Sequence, residues 1–317
     1  MSFSSAGQET IPGEHIATLE PELALPFETL GPDKLETPLV LSSPHSGSIY
    51  PASFLAASRL DPRALRRSED AHVDALWARA AAGGVPMLKA HFPRAFLDLN
   101  REPYELDPRM FERPLPQFAN TRSLRVAGGL GTIPRNVGEG QEIYAGKLPV
   151  EEAMRRIDGL YKPWHQTLHG LLRRAQRQFG LAVLIDCHSM PSWIGAYSQK
   201  PERIDADFVL GDRYGAACGG PLVDLVERHL RAAGYHVQRN KPYAGGFITE
   251  HYGNPGAGFH ALQIEINRAL YMDEQSLEPK AAFGPLSADL ADLTQRLMAL
   301  AADMAREKGR GVGLAAE

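Results

Sequence analysis

Cysteine is nearly missing from this chain: 317 residues hold two, Cys187 and Cys218. Neither belongs to a CxxC pair, which excludes a disulfide framework and a thiolate zinc knuckle. No sign of charge dominates. Lys and Arg number 34 against 38 Asp and Glu, for a net charge of −4, so no basic field is offered to nucleic acid or an anionic membrane. No apolar run approaches the ~20 residues that span a bilayer. The polar, acidic start, Met1 to Glu22, lacks the charged-then-apolar layout of a secretory leader. A soluble, cytoplasmic protein with no nucleic-acid or membrane partner is the expectation. Internal repeats and low-complexity tracts are absent too. What remains is ordinary enzyme composition, 44% hydrophobic and 23% charged, in a length that suits one large α/β domain or two small ones.

The elements alternate. Residues 1–36, rich in Pro, Glu and Gly, read as an arm or a short edge element. Residues 37–43 form the first strand. Asp61 and Pro62 then open a helix in the N-cap and N1 pattern, running to the Gly83-Gly84 break. Val85 to Phe92 and Phe96 to Arg101 read as strands. Residues 102–148 carry many Pro, Gly and Arg and almost no helical pattern, as in a lid or an irregular insertion. Val150 to Phe179 is a long amphipathic helix with a kink at Pro163. Strands follow at 181–187, 208–211, 236–239 and 261–266, with a helix at 221–233 and a closing helix at 286–306. This alternation predicts a mixed, mostly parallel sheet covered by helices on both faces. The glycine-rich run Val126 to Gly131 lacks both the phosphate-loop lysine and a strand–GxGxxG–helix context, and reads as a turn.

Two strands share one design. Leu181 to Ile185 leads into Asp186, Cys187 and His188, with Pro191 stopping the ladder. Pro38 to Ser43 leads into Pro44, His45, Ser46 and Gly47. Ligands collect outside the carboxyl ends of such strands, so His45 and His188 are candidate metal ligands, against the plainer reading of structural histidines. Asp186 is placed to orient an imidazole. A third ligand is sought in an acid, Glu69 or Asp70. Helical register puts Glu69 on the inward stripe with Leu65, Val73 and Leu76 and Asp70 beside it, while a solvated charged face is the alternative. Glu265 stands between Ile264 and Ile266 within a strand, where a carboxylate is costly unless paired or functional. It is read either as a general base or as a salt-bridge partner of Arg268. Asn100 and Arg101 follow Asp98, and Arg94 and Arg268 stand near other strand ends. Arginines so placed suit a small anionic substrate, although surface pairing with Glu102 or Glu105 would also account for them. Cys187, between Asp186 and His188, points the other way along the strand and reads as a packing residue.

Five segments together resemble the N-formylglutamate amidohydrolase (deformylase) family: Ser43 to Gly47, Ser68-Glu69-Asp70, Asp98 to Arg101, Ile185 to Pro191 and Gln263 to Ile266. They span residues 37 to 273, and several are also similar to zinc carboxypeptidases. The resemblance implies a single amidohydrolase domain over 37–317, with residues 102–148 as a loop insertion, on a zinc-carboxypeptidase-like fold. It implies zinc or another divalent transition metal on His45, His188 and an acid. Asn100 and Arg101 become carboxylate binders, with Arg94 or Arg268 for a second carboxylate, and Glu265 the general base. One departure is that the carboxypeptidase acid, three residues after the first histidine, is replaced here by Ser48. The resemblance favours Asp70 as the substitute, and the helical register favours Glu69. The implied reaction is hydrolysis of N-formyl-L-glutamate to formate and L-glutamate in histidine degradation. The alternatives are a carboxypeptidase, another N-acyl amino acid amidohydrolase, or a binding protein for amino acids or peptides.

Overall fold

The apolar runs of the sequence become the strands of one sheet. In the computed structural model, which describes residues 20–314 other than 33, 139 and 195–200, these are β1 (Phe27–Leu30), β2 (Leu39–Ser43), β3 (Met87–Ala90) and β4 (Ala182–Met190). A separate antiparallel pair, β5 (Trp193–Ile194) and β6 (Glu202–Arg203), precedes β7 (Phe208–Gly211), β8 (Val237–Arg239) and β9 (Phe259–Asn267). The seven-stranded sheet has the order β1-β3-β2-β4-β9-β7-β8. Neighbours run parallel except β1 with β3 and β9 with β7, so the expected mixed, mostly parallel sheet is what forms. Of the anticipated arm, residues 1–19 lie outside the described residues, and β1 is its edge element.

Helices cover both faces. On one, α1 (Val150–Arg156) and α2 (Lys162–Phe179) close a core with Val40, Leu184 and Ala261. On the other, α3 (Gly220–Ala232) and a helix over Phe283–Leu314 pack against Leu41, Ile185 and Ile264. The last helix is longer than its apolar stripe, which buries Leu286, Leu290, Leu293 and Leu297 at helical spacing. The kink expected at Pro163 is a π turn, Ile157–Tyr161, directly before it. Proline there has no N–H to continue the ladder, and the turn widens instead.

The predicted helix from Asp61 to Gly83 is broken. Asp61 caps it as expected, accepting from the Ala64 N–H at 2.8 Å. Only Pro62–Leu65 follows as α-helix; Arg66–Ser68 tightens to a 3-10 turn, Glu69 is extended, and His72 is left-handed at φ 65° before Val73–Leu76 resumes. The Asp70 N–H leaves the helix to bond the His45 carbonyl at 3.1 Å. Phe96–Arg101 is not a strand either. The Phe96 and Leu97 N–H groups turn back to the Pro93 carbonyl, and Asp98 bonds Thr132. The edge of β3 that could have received it is held by β1.

Residues 102–148 are irregular but packed. Leu106, Phe111, Ile133 and Ile143 are buried in the core that α2 closes. Arg156 of α1 reaches in from below, 3.7 Å from the Phe96 ring centroid, and donates to the Phe96 carbonyl and the Tyr144 hydroxyl. The glycine-rich run bonds to its own loop, the Gly129 carbonyl accepting from the Arg135 and Asn136 N–H groups.

Along the central strands one face changes character. Val40, Leu184 and Ala261 lie in the core under α2. Two and four residues on, at the same parity, stand Ser42, Asp186, His188, Gln263 and Glu265. The chain leaves β2 for β3 on one side and reaches β4 on the other, so the crevice at the carboxyl ends of β2 and β4 is the topological switch point.

Candidate active site

His45 follows β2 on a turn that needs Gly47. A Cβ there would lie 2.2 Å from the Phe92 carbonyl oxygen, so only glycine lets the turn rest on that backbone. His188 stands near the carboxyl end of β4, two residues before Met190, register-paired with Glu265 of β9, while Asp186 pairs with Gln263. Asp70 arrives from the broken helix. His45, Asp70 and His188, all buried, bring one ligand atom each within 4.8 Å of one another.

The protons are arranged for a cation. His45 Nε2 lies 2.8 Å from Asp98 Oδ1, and His188 Nε2 lies 2.9 Å from Asp186 Oδ2, whose other oxygen accepts from the Ser42 hydroxyl. An Nε2–H donated to a carboxylate leaves each Nδ1 as a lone pair. Both Nδ1 atoms face Asp70 Oδ2, His188 at 2.9 Å and His45 at 3.5 Å, and His45 Nδ1 is buried with no hydrogen-bond partner. Lone pairs against a carboxylate repel unless a positive charge sits among them. Burial opposes charge on both His188 and Asp70. Even so, Asp186 and Asp70 push the His188 imidazole well above its ordinary range, and His188 and His45 hold Asp70 well below its own. A second proton is one answer to that demand. A divalent metal, displacing the proton, is the other, and two imidazoles with one carboxylate are a donor set suited to zinc.

Asp70 Oδ1 is held by Arg268 Nη2 at 3.0 Å, and Arg268 also bonds the Ser189 hydroxyl and the Arg67 carbonyl. Arg268, considered for substrate, is therefore turned to the candidate ligand and does not line the cavity above it. Nor is it the ion-pair partner of Glu265 among the described residues. Glu69 is corrected more simply. It is buried, but it accepts from Arg66 Nε at 3.0 Å and the Tyr50 hydroxyl at 2.6 Å, outside the cluster. Its helical register does not apply, because the residue is not helical.

Above the cluster lies a cavity of about 270 Å³ lined by His45, His188, Glu265, Gln263, Tyr243, Asn100 and four arginines, Arg94, Arg101, Arg125 and Arg213. Glu265 Oε1 accepts from Gln263 Nε2 at 2.8 Å, and Gln263 Oε1 accepts from the Gly246 N–H at 2.8 Å. The second Glu265 oxygen has no hydrogen-bond partner among the described residues. Burial raises the Glu265 carboxyl to about 7, with His188 opposing and Asp70 adding to the rise. A carboxylate so poised exchanges protons readily near neutrality.

Asp98 holds the other wall. Its Oδ1 takes His45 Nε2 and the Asn100 N–H, and its Oδ2 takes Arg94 at 2.8 Å, with Arg101 3.4 Å away. Arg101 Nε donates to the Leu130 carbonyl and Nη1 to the Asn100 carbonyl, each at 2.7 Å. Burial lowers its pKa to about 10, against the pull of Asp98. Asn100 Oδ1 accepts from the Ile248 N–H at 2.8 Å. At Gly246 a Cβ would come 2.4 Å from Asn100 Nδ2, so the 243–258 loop closes on Asn100 only through glycine. Cys187 is buried in the core on the opposite face.

Sequence reading did not nominate Asp98, Gln263, Arg125 or Arg213. Strand parity could have found Gln263, two residues before Glu265. No spacing connects Asp98 to a histidine 53 residues away; Arg125 lies on a single helical turn and Arg213 on a loop, both too short to show periodicity.

The N-formylglutamate amidohydrolase family model matches residues 37–272. An N-formylglutamate deformylase of Pseudomonas aeruginosa is 34% identical over 277 residues, 86% of this chain and 93% of the relative. One of Pseudomonas putida is 32% identical over 243 residues, 75% of this chain and 82% of the relative. Among solved structures, an N-formylglutamate amidohydrolase from Ralstonia eutropha JMP134 superposes with a TM-score of 0.79 at 41% identity, covering 90% of this chain and 99% of that one.

Proposed function

The chain belongs to the N-formylglutamate amidohydrolase family, and from that premise we propose that it hydrolyses N-formyl-L-glutamate to formate and L-glutamate. The reaction would be a late step of histidine degradation, in the cytoplasm, carried by one domain over 37–317. Among the described residues no helix is long and apolar enough to cross a membrane. His45, Asp70 and His188 would hold a divalent transition metal, with zinc the metal proposed. When bound, such a cation polarises the formyl carbonyl and acidifies an attacking water.

The remaining steps fall to the chain's own groups. Glu265 takes the proton of the attacking water and returns it to the departing nitrogen. Gln263 keeps one Glu265 oxygen occupied, so the other is the base. Asn100 and Arg101 hold the substrate's α-carboxylate, and Arg94 adds positive charge to the same cavity. Asp98 and Asp186 fix the tautomers of the two imidazoles. Arg268 is assigned to holding Asp70 rather than to substrate.

The observation that carries this reading is the pair of buried imidazoles, each tied at Nε2 to a carboxylate and turned at Nδ1 to Asp70, beside a glutamate raised to about 7. The small, arginine-lined cavity favours a compact anion over a peptide, which argues against a carboxypeptidase. Formate release from N-formyl-L-glutamate, measured before and after chelation and again after zinc is restored, tests it. Glu265→Gln is expected to retain its metal and to lose roughly 10²- to 10⁴-fold in kcat. Near-normal turnover by that variant would remove the general base.

A further inference from the structure

Of the four arginines around the cavity, two have no part in the steps above. Arg94 and Arg101 are committed to Asp98 and to backbone carbonyls. The Arg125 side chain has no hydrogen bond or ion pair among the described residues, and its charge lowers the pKa of Arg101 by repulsion. It is exposed on the short turn of helix Leu124–Ala127, which Ser123 caps and the buried Val126 anchors. Arg213, left-handed at φ 55°, pairs with Glu250 at 2.8 Å. Both partners are open to solvent, at 37% and 61% exposure, so that pair is weak and exchangeable.

Position assigns these two groups a ligand. Arg101, Arg125, Arg213, Gly245 and Gly246 line both the inner cavity and a wider space of about 440 Å³ outside it. His45, His188 and Glu265 line only the inner one. Arg101 is buried beside Asp98, whereas Arg125 is exposed. A substrate with its formamide at Glu265 and its α-carboxylate at Arg101 would extend its side chain toward the mouth. There Arg125 and Arg213 present the uncommitted charge. The acids Glu102, Glu105 and Glu250 line the outer space but not the inner one, which discourages a longer acidic chain from lodging there.

We propose that Arg125 and Arg213 form the subsite for the side-chain carboxylate of the substrate and set the preference for acidic over neutral N-formyl amino acids. This rests on the N-formylglutamate reading above. The test compares N-formyl-L-glutamate with its neutral isostere N-formyl-L-glutamine, for the metal-loaded full chain and its Arg125→Gln, Arg125→Lys and Arg213→Gln variants. Charge-assisted hydrogen bonds of this kind give roughly a 10- to 100-fold effect. Arg125→Gln is expected to lower the glutamate-over-glutamine ratio of kcat/KM by that factor, carried by KM, with Arg125→Lys recovering part of it. Arg213→Gln is expected to move the ratio the same way. A ratio within about threefold of the parent in both glutamine variants would overturn the subsite while leaving the activity intact. A parent enzyme that releases formate from neither compound would overturn the substrate reading itself, and the subsite with it.

Discussion

Asp98 serves four groups with two oxygens: His45, the Asn100 backbone, Arg94 and, more distantly, Arg101. Its carboxyl is held well below the usual range; burial works against this, and Arg101 and Arg94 outweigh burial. Asp98→Asn keeps the shape and removes the charge. A metal titration against a chromophoric chelator is expected to read roughly 10- to 100-fold weaker binding, because the imidazole exchanges an anionic acceptor for a neutral one and becomes less basic. Unchanged affinity would mean that His45 is oriented by packing alone. His165 offers a second check at this scale. Its Nε2 lies 3.0 Å from the Leu99 carbonyl, and burial lowers its pKa to about 3. The unfolded chain therefore binds one more proton between about pH 6.5 and 3. The stability from the neutral imidazole is complete above pH 6.5 and is lost as pH falls through that window, by at most roughly 1.4 kcal/mol per pH unit. Urea unfolding of chelated protein at pH 7 and 5 is expected to show a smaller loss for His165→Gln than for the parent.

At the scale of elements, α1 and α2 position the segment that carries Asn100 and Arg101. Tyr161, the last residue of the π turn, donates to the Arg101 carbonyl at 2.6 Å, and His165 one turn later holds Leu99. The two carbonyls flank Asn100, so the widened turn before Pro163 sets where Asn100 and Arg101 stand. Tyr161→Phe removes one hydrogen bond, worth about 1 kcal/mol. Steady-state kinetics are expected to show KM raised about 3- to 10-fold with a smaller change in kcat; an equal loss in kcat would place its effect on the reacting groups instead. Elements whose residues bury one face were legible in the sequence. β2, β4 and β9 were found near their true bounds because apolar runs and alternation are local signals. The helix from Asp61 was misread beyond Leu65 because its departure is enforced by a partner far away, the His45 carbonyl. Phe96–Arg101 alternates like a strand, but alternation reports burial and not the availability of a sheet edge.

For the whole molecule, the cluster joins three distant segments: the turn after β2, the broken helix and the end of β4. Metal bound only by the folded arrangement must stabilise it. At a hundredfold excess over Kd the gain is about 2.7 kcal/mol, which for a chain of this size is on the order of 4 °C in Tm. Chelation is expected to lower Tm by that amount and added zinc to restore it. In His45→Asn the zinc-dependent increment should vanish, which thermal unfolding with and without the metal would reveal. An increment that persisted would place the metal elsewhere.

By itself the sequence determined the α/β sheet, its central strands and two histidines at strand ends, because period and turn chemistry are written in neighbouring residues. The segments resembling a known family narrowed the chemistry further. Only the tertiary structure brought Asp70, and not Glu69, beside the two histidines. It turned Arg268 from the substrate to Asp70, joined Asp98 to His45, and brought Arg125 from an unpatterned segment to the mouth of the cavity. Those outcomes depend on which backbone groups and charges meet across long stretches of chain. A buried charge goes where a partner can offset the loss of water, and that partner is named by the fold.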